Sequence, residues 1–151
     1  MGFEQYQSAA NEAKTTFAFI SEGPKGKILK RIQYEMIELD NYENVYNLGF
    51  GDLNADATDI DDLVVTGNQD RDKVLATVIN TAYIFLERHP EASIYIQGST
   101  PSRTRLYQII INNYFDILSE SFLIEGLTEK EFLNFEKNNY YKAFLITPKI
   151  K

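Results

Sequence analysis

The stretch SIYIQGSTPSRTRLY, residues 93–107, combines the signals of a strand, a turn and a helix start. Its first five residues alternate, with Ile94 and Ile96 on one face, which is the pattern of a β-strand. Thr100 followed by Pro101 is typical of a helix start, because a threonine hydroxyl caps free backbone N–H groups and proline fits the first helical position. The sequence therefore predicts a strand that leads into a helix through a short turn rich in glycine, serine and threonine.

The residues on either side predict further strands and one more helix. Alternation, as at Phe17 and Phe19, indicates strands with one apolar face, and the turn-forming segment 22–26 predicts a hairpin loop. Apolar residues at helical spacing from Val74 to Leu86 predict the first helix. The predicted strands are 15–21, 27–39, 45–50, 63–65, 93–97, 122–126 and 140–146, and the predicted helices are 70–89 and 101–118.

This order of elements, β-β-β-(β)-α-β-α-β-β, predicts an α+β fold in which an antiparallel or mixed sheet carries two main helices on one face. Thr128 and Glu131 have the spacing of a capping box, which predicts a brief helical turn before the last strand. The 151 residues are enough for one domain with its own core. We expect a flexible N-terminal segment over residues 1–14 and a single domain over residues 15–151.

Composition disfavours several classes of function. The formal charge of −7 argues against non-specific binding to nucleic acids or membrane surfaces, since both are anionic. The absence of cysteine excludes thiolate catalysis and zinc–thiolate sites, and it fits a reducing compartment. The sequence contains neither a signal-peptide pattern at its start nor an apolar run of membrane-spanning length. We therefore expect a cytoplasmic protein that is not bound to membranes, and no motif predicts a cofactor.

The turn after the strand is the main candidate for a binding site. Cations near a helix N-terminus oppose the helix dipole, so Arg103 and Arg105 indicate an anion nearby. Backbone amides, hydroxyls and guanidinium groups together bind phosphates and carboxylates. The alternative is structural: a capped helix whose arginines pair with carboxylates such as Glu22 or Asp62. The candidate ligand-binding residues are Gly98, Ser99, Thr100, Ser102, Arg103 and Arg105.

An acidic loop is a candidate for a Mg²⁺ or Ca²⁺ site, because these ions prefer several carboxylate ligands. Asp52, Asn54 and Asp56 match the first three ligand positions of an EF-hand loop. The match then fails, since Ala57 replaces the turn glycine and Leu63 replaces the bidentate glutamate. A solvated hairpin loop is the alternative. The candidate metal ligands are Asp52, Asp56, Asp61 and Asp62.

Two other features have mainly structural interpretations. His89 is the only histidine and stands at the end of a helix before Pro90, so we expect a surface residue rather than a catalytic base. The aromatic tail, residues 132–144, has the composition of a surface that stacks nucleic-acid bases. Aromatic residues at this spacing more often form a core, and we favour that interpretation.

Five motifs are specific enough to compare with known families. They are FAFISEGPKG at 17–26, YNLGFGDL at 46–53, DDLVVT at 61–66, KVLATV at 73–78 and GSTPSRTRLY at 98–107. Together they resemble an uncharacterised family, whose members are small single-domain proteins from bacteria of the Bacteroidetes group without an established activity. The resemblance covers most of residues 15–146, so it implies a single-domain, cytoplasmic, bacterial protein and leaves the function open.

Two better-known folds have a compatible order of elements, and both imply an enzyme. The GNAT-type acetyltransferase fold also follows a meander with strand, helix, strand, helix and two strands, and Thr104–Tyr107 resembles part of its last helix. Residues 68–72 lack that family's glycine-rich pyrophosphate loop. The ribonuclease H-like fold opens with three antiparallel strands, but its metal site needs an acid after Ile96, where Gln97 and Gly98 stand.

Three hypotheses about function follow. The first is a binding or regulatory domain that recognises an anionic small molecule, or an anionic segment of a partner, at the Gly98–Arg105 turn. The second is an enzyme, either an acyltransferase that uses coenzyme A or a metal-dependent phosphodiesterase. The third is a protein-interaction module with an exposed Tyr/Phe patch on its C-terminal strands.

Overall fold

The structure is a computed structural model that describes residues 4–53, 60–61, 70–98 and 100–149. Within these residues the chain forms a mixed β-sheet and two helices, so the predicted α+β class is confirmed. The elements are β1 (Ala9–Ala10), β2 (Thr16–Gly23), β3 (Gly26–Leu39), β4 (Tyr42–Leu53), β5 (Ile60–Asp61), α1 (Arg71–Arg88), β6 (Ser93–Ile96), α2 (Pro101–Ser121), β7 (Phe122–Leu127), β8 (Phe132–Asn134) and β9 (Phe144–Pro148).

Hydrogen bonds join the strands in the order β1-β2-β3-β4-β6-β9-β7-β8, and β5 pairs with the end of β4. The predicted hairpin is present: β2 and β3 are antiparallel and close at the pair Gly23–Gly26. β4 and β6 are parallel, whereas β9 is antiparallel to both of its neighbours, β6 and β7. A parallel pair requires a long crossover connection, which here contains α1.

The chain divides into two compact units. The first comprises Met1–Glu35 and Gly49–His89 and contains α1, and the second comprises Met36–Leu48 and Pro90–Lys151 and contains α2. The prediction of a single domain over residues 15–151, and that of a flexible segment over residues 1–14, stay predictions.

The core of the first unit joins α1 to one face of β2 and β3. Alternate residues of a strand point to the same face, which buries Phe17 on β2 and Tyr34 on β3. The Tyr34 ring stacks on Phe85 of α1 with 4.3 Å between centroids, and its hydroxyl lies 3.0 Å from Thr81 Oγ1. The predicted apolar stripe of α1 is confirmed by the burial of Val74, Leu75, Val78, Ile79, Phe85 and Leu86.

Tyr6 links the N-terminal residues to the start of α1. Its backbone N–H donates to Thr77 Oγ1 at 2.8 Å, and its ring stacks on Phe19 with 5.5 Å between centroids. Asp70, just before α1, accepts from the Tyr6 hydroxyl at 2.5 Å and from Ser21 Oγ at 2.6 Å. The Asp70 carboxylate therefore binds these two hydroxyls, and it makes no capping bond to the α1 backbone.

The core of the second unit joins α2 to β6, β7 and β9. The side chains that the strands bury include Ile94, Ile124 and Phe144. The sequence predicts an α2 core stripe of Leu106, Ile109, Ile110, Tyr114, Ile117 and Leu118. Tyr114 and Leu118 are buried as predicted, whereas Ile109, Ile110 and Ile117 are only half-buried, and the side chain of Leu106 lies outside the described part of the chain. Among the described side chains of α2, Thr104, Gln108 and Ile111 are also buried.

Two predictions for the C-terminal part are wrong. The brief helical turn at Thr128 and Glu131 is a tight turn between β7 and β8, in which Glu131 N donates to Thr128 Oγ1 at 3.2 Å and Thr128 N donates to Glu131 O at 2.9 Å. The same hydroxyl-to-amide bond would cap a helix. Here the turn instead connects two paired strands, whose pairing begins at Leu127 and Phe132. The last strand begins at Phe144 rather than at residue 140.

The buried Tyr34 predicts a loss of stability at alkaline pH. Burial raises the pKa of Tyr34 well above its usual value of 10.0. The folded state therefore holds this proton more tightly than the unfolded state, whose tyrosine pKa is about 10. The stability that this group contributes is complete below about pH 10 and is lost as the pH rises towards the folded-state pKa.

We expect the free energy of unfolding, measured by urea denaturation, to fall above about pH 10 and to fall less steeply in Tyr34→Phe. The variant keeps the ring stacked on Phe85, and Thr81 Oγ1 still donates to Val78 O at 2.7 Å, so it should fold with a loss of about 0.5–1.5 kcal/mol at neutral pH. An equally steep fall with pH in both proteins would contradict a raised pKa for the buried Tyr34.

Candidate functional site

The turn between β6 and α2 is built as the sequence predicts. Thr100 is the N-cap of α2 and Pro101 follows it in the first turn. Thr100 Oγ1 accepts from Arg103 N at 3.3 Å, and Thr100 O accepts from Thr104 N at 3.0 Å. Thr100 therefore already satisfies two backbone amides at this helix start.

Gly98 is required by a close approach to α2. A Cβ atom at this position would lie 2.5 Å from Thr104 N and 2.6 Å from the carbonyl carbon of Arg103. The Gly98 N–H donates to Thr104 Oγ1 at 3.0 Å, and that hydroxyl donates to Thr100 O at 3.3 Å. Among the described glycines only Gly26 has a positive φ, so the close approach to α2, rather than a left-handed backbone, accounts for glycine at position 98.

A cavity of about 410 Å³ lies beside this turn, within the second unit. One wall comes from the start of α2 and includes Thr100, Thr104 and Arg105, and the opposite wall comes from Tyr140, Tyr141 and Lys142. The volume is in the range of small-molecule sites, about 300–1,000 Å³. Of the ligand-binding residues predicted from the sequence, the structure brings Gly98, Thr100 and Arg105 to the cavity.

The two arginines of the predicted site lie in different places. Residues two positions apart on a helix point about 200° apart around its axis and do not face each other. Arg105 lines the cavity, whereas Arg103 and Ser102 are not among the described lining residues. Arg103 is half-buried and has interactions of its own. Ser99 lies outside the described residues.

Arg105 has an unusual set of contacts for an arginine in an acidic protein. Its guanidinium carbon lies over the ring of Tyr140, 5.1 Å from the centroid. No described carboxylate lies within ion-pair distance of it, so the pairing with Glu22 or Asp62 is not found within the described part of the chain. Glu22 lies 3.8 Å from Lys27, and Asp62 is outside that part.

Lys142 is the second cation of the cavity. It forms an ion pair with Glu129 at 3.1 Å, in which the side chains are 56% and 82% exposed. An exposed pair of this kind contributes about 0–1 kcal/mol, so Lys142 can exchange Glu129 for another anion at little cost. Its backbone N–H donates to Leu127 O at 2.8 Å, which fixes the backbone from which the side chain extends.

Gln108 holds the two walls of the cavity together, and sequence reasoning missed it. Its side chain is buried, its Nε2 donates to Asn139 O, and its Oε1 accepts from Tyr141 N at 3.3 Å. Tyr141 is also packed against Gly126, where any Cβ would overlap the tyrosine ring. The sequence offers one signal for the role of Gln108: it is a polar residue one helical turn after Thr104. It lies on a face of the helix that the sequence does not assign to the core.

Gln97, at the rim of the cavity, is held by Tyr95, whose hydroxyl donates to Gln97 Oε1 at 2.7 Å. The Tyr95 ring lies edge-on to Phe132 with 6.4 Å between centroids. Partial burial raises the pKa of Tyr95 above its usual value, so the phenol stays protonated and remains a donor at neutral pH.

The predicted metal site falls mostly on residues that the structure does not describe. The backbones of Asp52 and Asp61 are paired between β4 and β5, but their side chains, and all of Asp56 and Asp62, lie outside the described residues. No group of three or more potential metal-ligating side chains occurs within residues 4–53, 60–61, 70–98 and 100–149. The metal site stays a prediction.

His89 has a structural environment. It is half-buried at the end of α1, its ring lies 4.8 Å from that of Phe85, and its Nε2 is 2.7 Å from Ala13 O. The expectation of a surface residue is therefore correct only in part.

Comparison with known proteins identifies the family. The chain belongs to the family of unknown function DUF6934, which matches residues 3–149. The expected membership of an uncharacterised family is confirmed. No curated protein and no solved structure matches the chain. No helix in the described residues has both the length and the apolar character needed to cross a membrane.

The close contact at Gly98 predicts that even one methyl group is not tolerated there. In Gly98→Ala the new atom meets backbone atoms of α2, so the first turn of the helix has to shift. We expect a loss of about 1–3 kcal/mol in the free energy of unfolding, measured by urea denaturation. Gly49→Ala is the matched control, because its nearest contact would be Gln33 O at 3.7 Å, and it should keep or slightly raise stability. Equal stability of the two variants would contradict the role of Gly98.

Proposed function

We propose that this protein binds a small anionic ligand, one that carries a phosphate or a carboxylate, in the cavity at the start of α2. The observation that carries the proposal is the guanidinium of Arg105, which lines the cavity without a carboxylate partner among the described residues. A guanidinium donates two parallel hydrogen bonds to a phosphate or a carboxylate, which gives both strength and orientation.

The charges around the cavity support an anion from outside the chain. α2 has no acidic residue in its first turn, although helices generally favour acids there because of the helix dipole. The 21 residues of α2 direct the positive end of that dipole towards the side of the cavity that holds Thr100 and Pro101. Lys142 adds a second cation, and no Asp or Glu is among the described lining residues.

The fixed walls of the cavity also support binding. Gln108 connects α2 to residues 139–141, and Gly98 is packed against the first turn of α2, so neither wall has to be ordered by the ligand. A preformed site binds more tightly than a mobile one because less conformational entropy is lost on binding.

We propose binding rather than catalysis because the described lining residues include no histidine and no carboxylate, the usual general bases. The acyltransferase alternative is supported by the order of elements, in which α1, β6 and α2 follow the meander, although three strands rather than two come after α2. Against it, Asp70 and Asp72 put two carboxylates at the start of α1, where a pyrophosphate would be repelled. The enzyme and protein-interaction alternatives stay second to ligand binding.

The cellular setting is part of the proposal. A cysteine-free chain with a net charge of −7 fits a reducing compartment, and we propose the cytoplasm of a bacterium.

The proposal predicts that Arg105→Gln weakens the binding of inorganic phosphate, measured by isothermal titration at low ionic strength. We expect at least about a tenfold increase in Kd, because a charge-assisted hydrogen bond contributes about 1.5–3 kcal/mol. Added salt should weaken phosphate binding to the unmodified protein.

Arg71→Gln is the matched control. Arg71 is also an exposed arginine near the N-terminus of a helix, and its replacement changes the net charge by the same amount. Its Kd for phosphate should equal that of the unmodified protein. Equal weakening in both variants would indicate a diffuse charge effect, and the absence of phosphate binding to the unmodified protein would overturn the proposal.

A further inference from the structure

Tyr140 is an aromatic residue in an unusual position. Its side chain is 76% exposed, more than any other large hydrophobic residue in the described part of the chain. The sequence interpretation of the aromatic tail as core is correct for Phe135 and Phe144, which are buried, and wrong for Tyr140. An exposed tyrosine on a fixed backbone loses little entropy when another ring stacks on it.

The backbone on both sides of Tyr140 is held in place. Asn139 O accepts from Gln108, Tyr141 N donates to the same side chain, and Lys142 N donates to Leu127 O. The Tyr141 ring packs 5.4 Å from Phe135 and its hydroxyl accepts from Glu136 N at 3.0 Å. The exposure of Tyr140 is therefore a feature of an ordered segment.

The cation of the proposed anion site lies directly against this ring. The guanidinium of Arg105 is 5.1 Å from the Tyr140 centroid. A ligand whose anionic group binds Arg105 therefore has an aromatic ring within reach, and a planar part of that ligand can stack on it. Stacking between a base and an aromatic side chain tolerates every base, because each base has a π-face.

A second cavity borders the same segment. It has a volume of about 450 Å³ and shares Tyr140 and Tyr141 with the cavity of Arg105. Its lining includes Asn134, Asn139 and Glu136, and Asn139 Nδ2 donates to Glu136 Oε2 at 3.0 Å. The Asn134 amide can both donate and accept hydrogen bonds, which suits the polar edge of a heterocyclic base.

We propose that the ligand of this site is a nucleoside monophosphate, with its phosphate on Arg105 and Lys142 and its base stacked on Tyr140. This inference rests on the proposed function, since it assigns the anionic group to the same two cations. A phosphate and a flat, hydrogen-bonding heterocycle in one ligand match two cavities that share Tyr140 and Tyr141, of which one holds the two cations. Tyr140 is then the residue that gives the site its preference for nucleotides over simple phosphates.

The test compares AMP, GMP, CMP and UMP with ribose 5-phosphate by isothermal titration of the full chain. At least one nucleotide should bind more tightly than ribose 5-phosphate, and Tyr140→Leu should weaken that nucleotide by roughly 5- to 100-fold. Ribose 5-phosphate has no base to stack, so the same variant should weaken its binding much less, only by the loss of the contact between Arg105 and the Tyr140 ring. Equal weakening of both ligands would overturn the stacking role. Tyr140→Phe keeps the ring and should retain nucleotide binding. Because Tyr140 is exposed, neither substitution removes a core contact.

The outcomes separate this inference from the proposed function. If ribose 5-phosphate binds as tightly as every nucleotide and Tyr140→Leu changes neither, the nucleotide assignment is overturned while anion binding stands. If none of these compounds binds, and inorganic phosphate does not bind either, both proposals fail. If a nucleotide binds equally well to Tyr140→Leu, the stacking role is overturned.

Discussion

The close approach of Gly98 to the first turn of α2 is the contact on which the candidate site depends. Because residue 98 has no side chain, its backbone N–H reaches Thr104 Oγ1 at 3.0 Å and the helix starts directly against the end of the β6 segment. This contact fixes the direction of α2. It thereby decides that Arg105 lines the cavity and that Gln108, one turn later, reaches residues 139–141.

Much of the fold follows from the sequence, because its signals are local. Alternation of apolar residues predicts β2 and β3, the two glycines at 23 and 26 predict their hairpin, and the pair Thr100-Pro101 predicts the start of α2. The parallel pairing of β4 with β6, and the place of β9 between β6 and β7, depend on contacts between distant residues. No local pattern encodes those contacts, so the sequence did not predict them.

The site was predictable only in part, for the same reason. The sequence correctly identifies the turn and its cap, since these depend on neighbouring residues. It treats Arg103 and Arg105 as equivalent, although their separation along a helix makes joint contact with one small ligand unfavourable. It misses Gln108 and Tyr140 because their importance comes from a segment about 30 residues away, which folds back against α2. Periodicity also favours a core role for every aromatic residue of the tail, and only the folded chain distinguishes the exposed Tyr140 from the buried Phe144.

Chemical-shift mapping with inorganic phosphate locates anion binding without any substitution. The isotope-labelled protein is titrated and its backbone amide signals are followed. We expect saturable shifts at Gly98, Thr104, Arg105 and Lys142, with little change in the α1 signals. Saturable shifts confined to other parts of the chain, or no saturable shifts at all, would contradict an anion site at the start of α2.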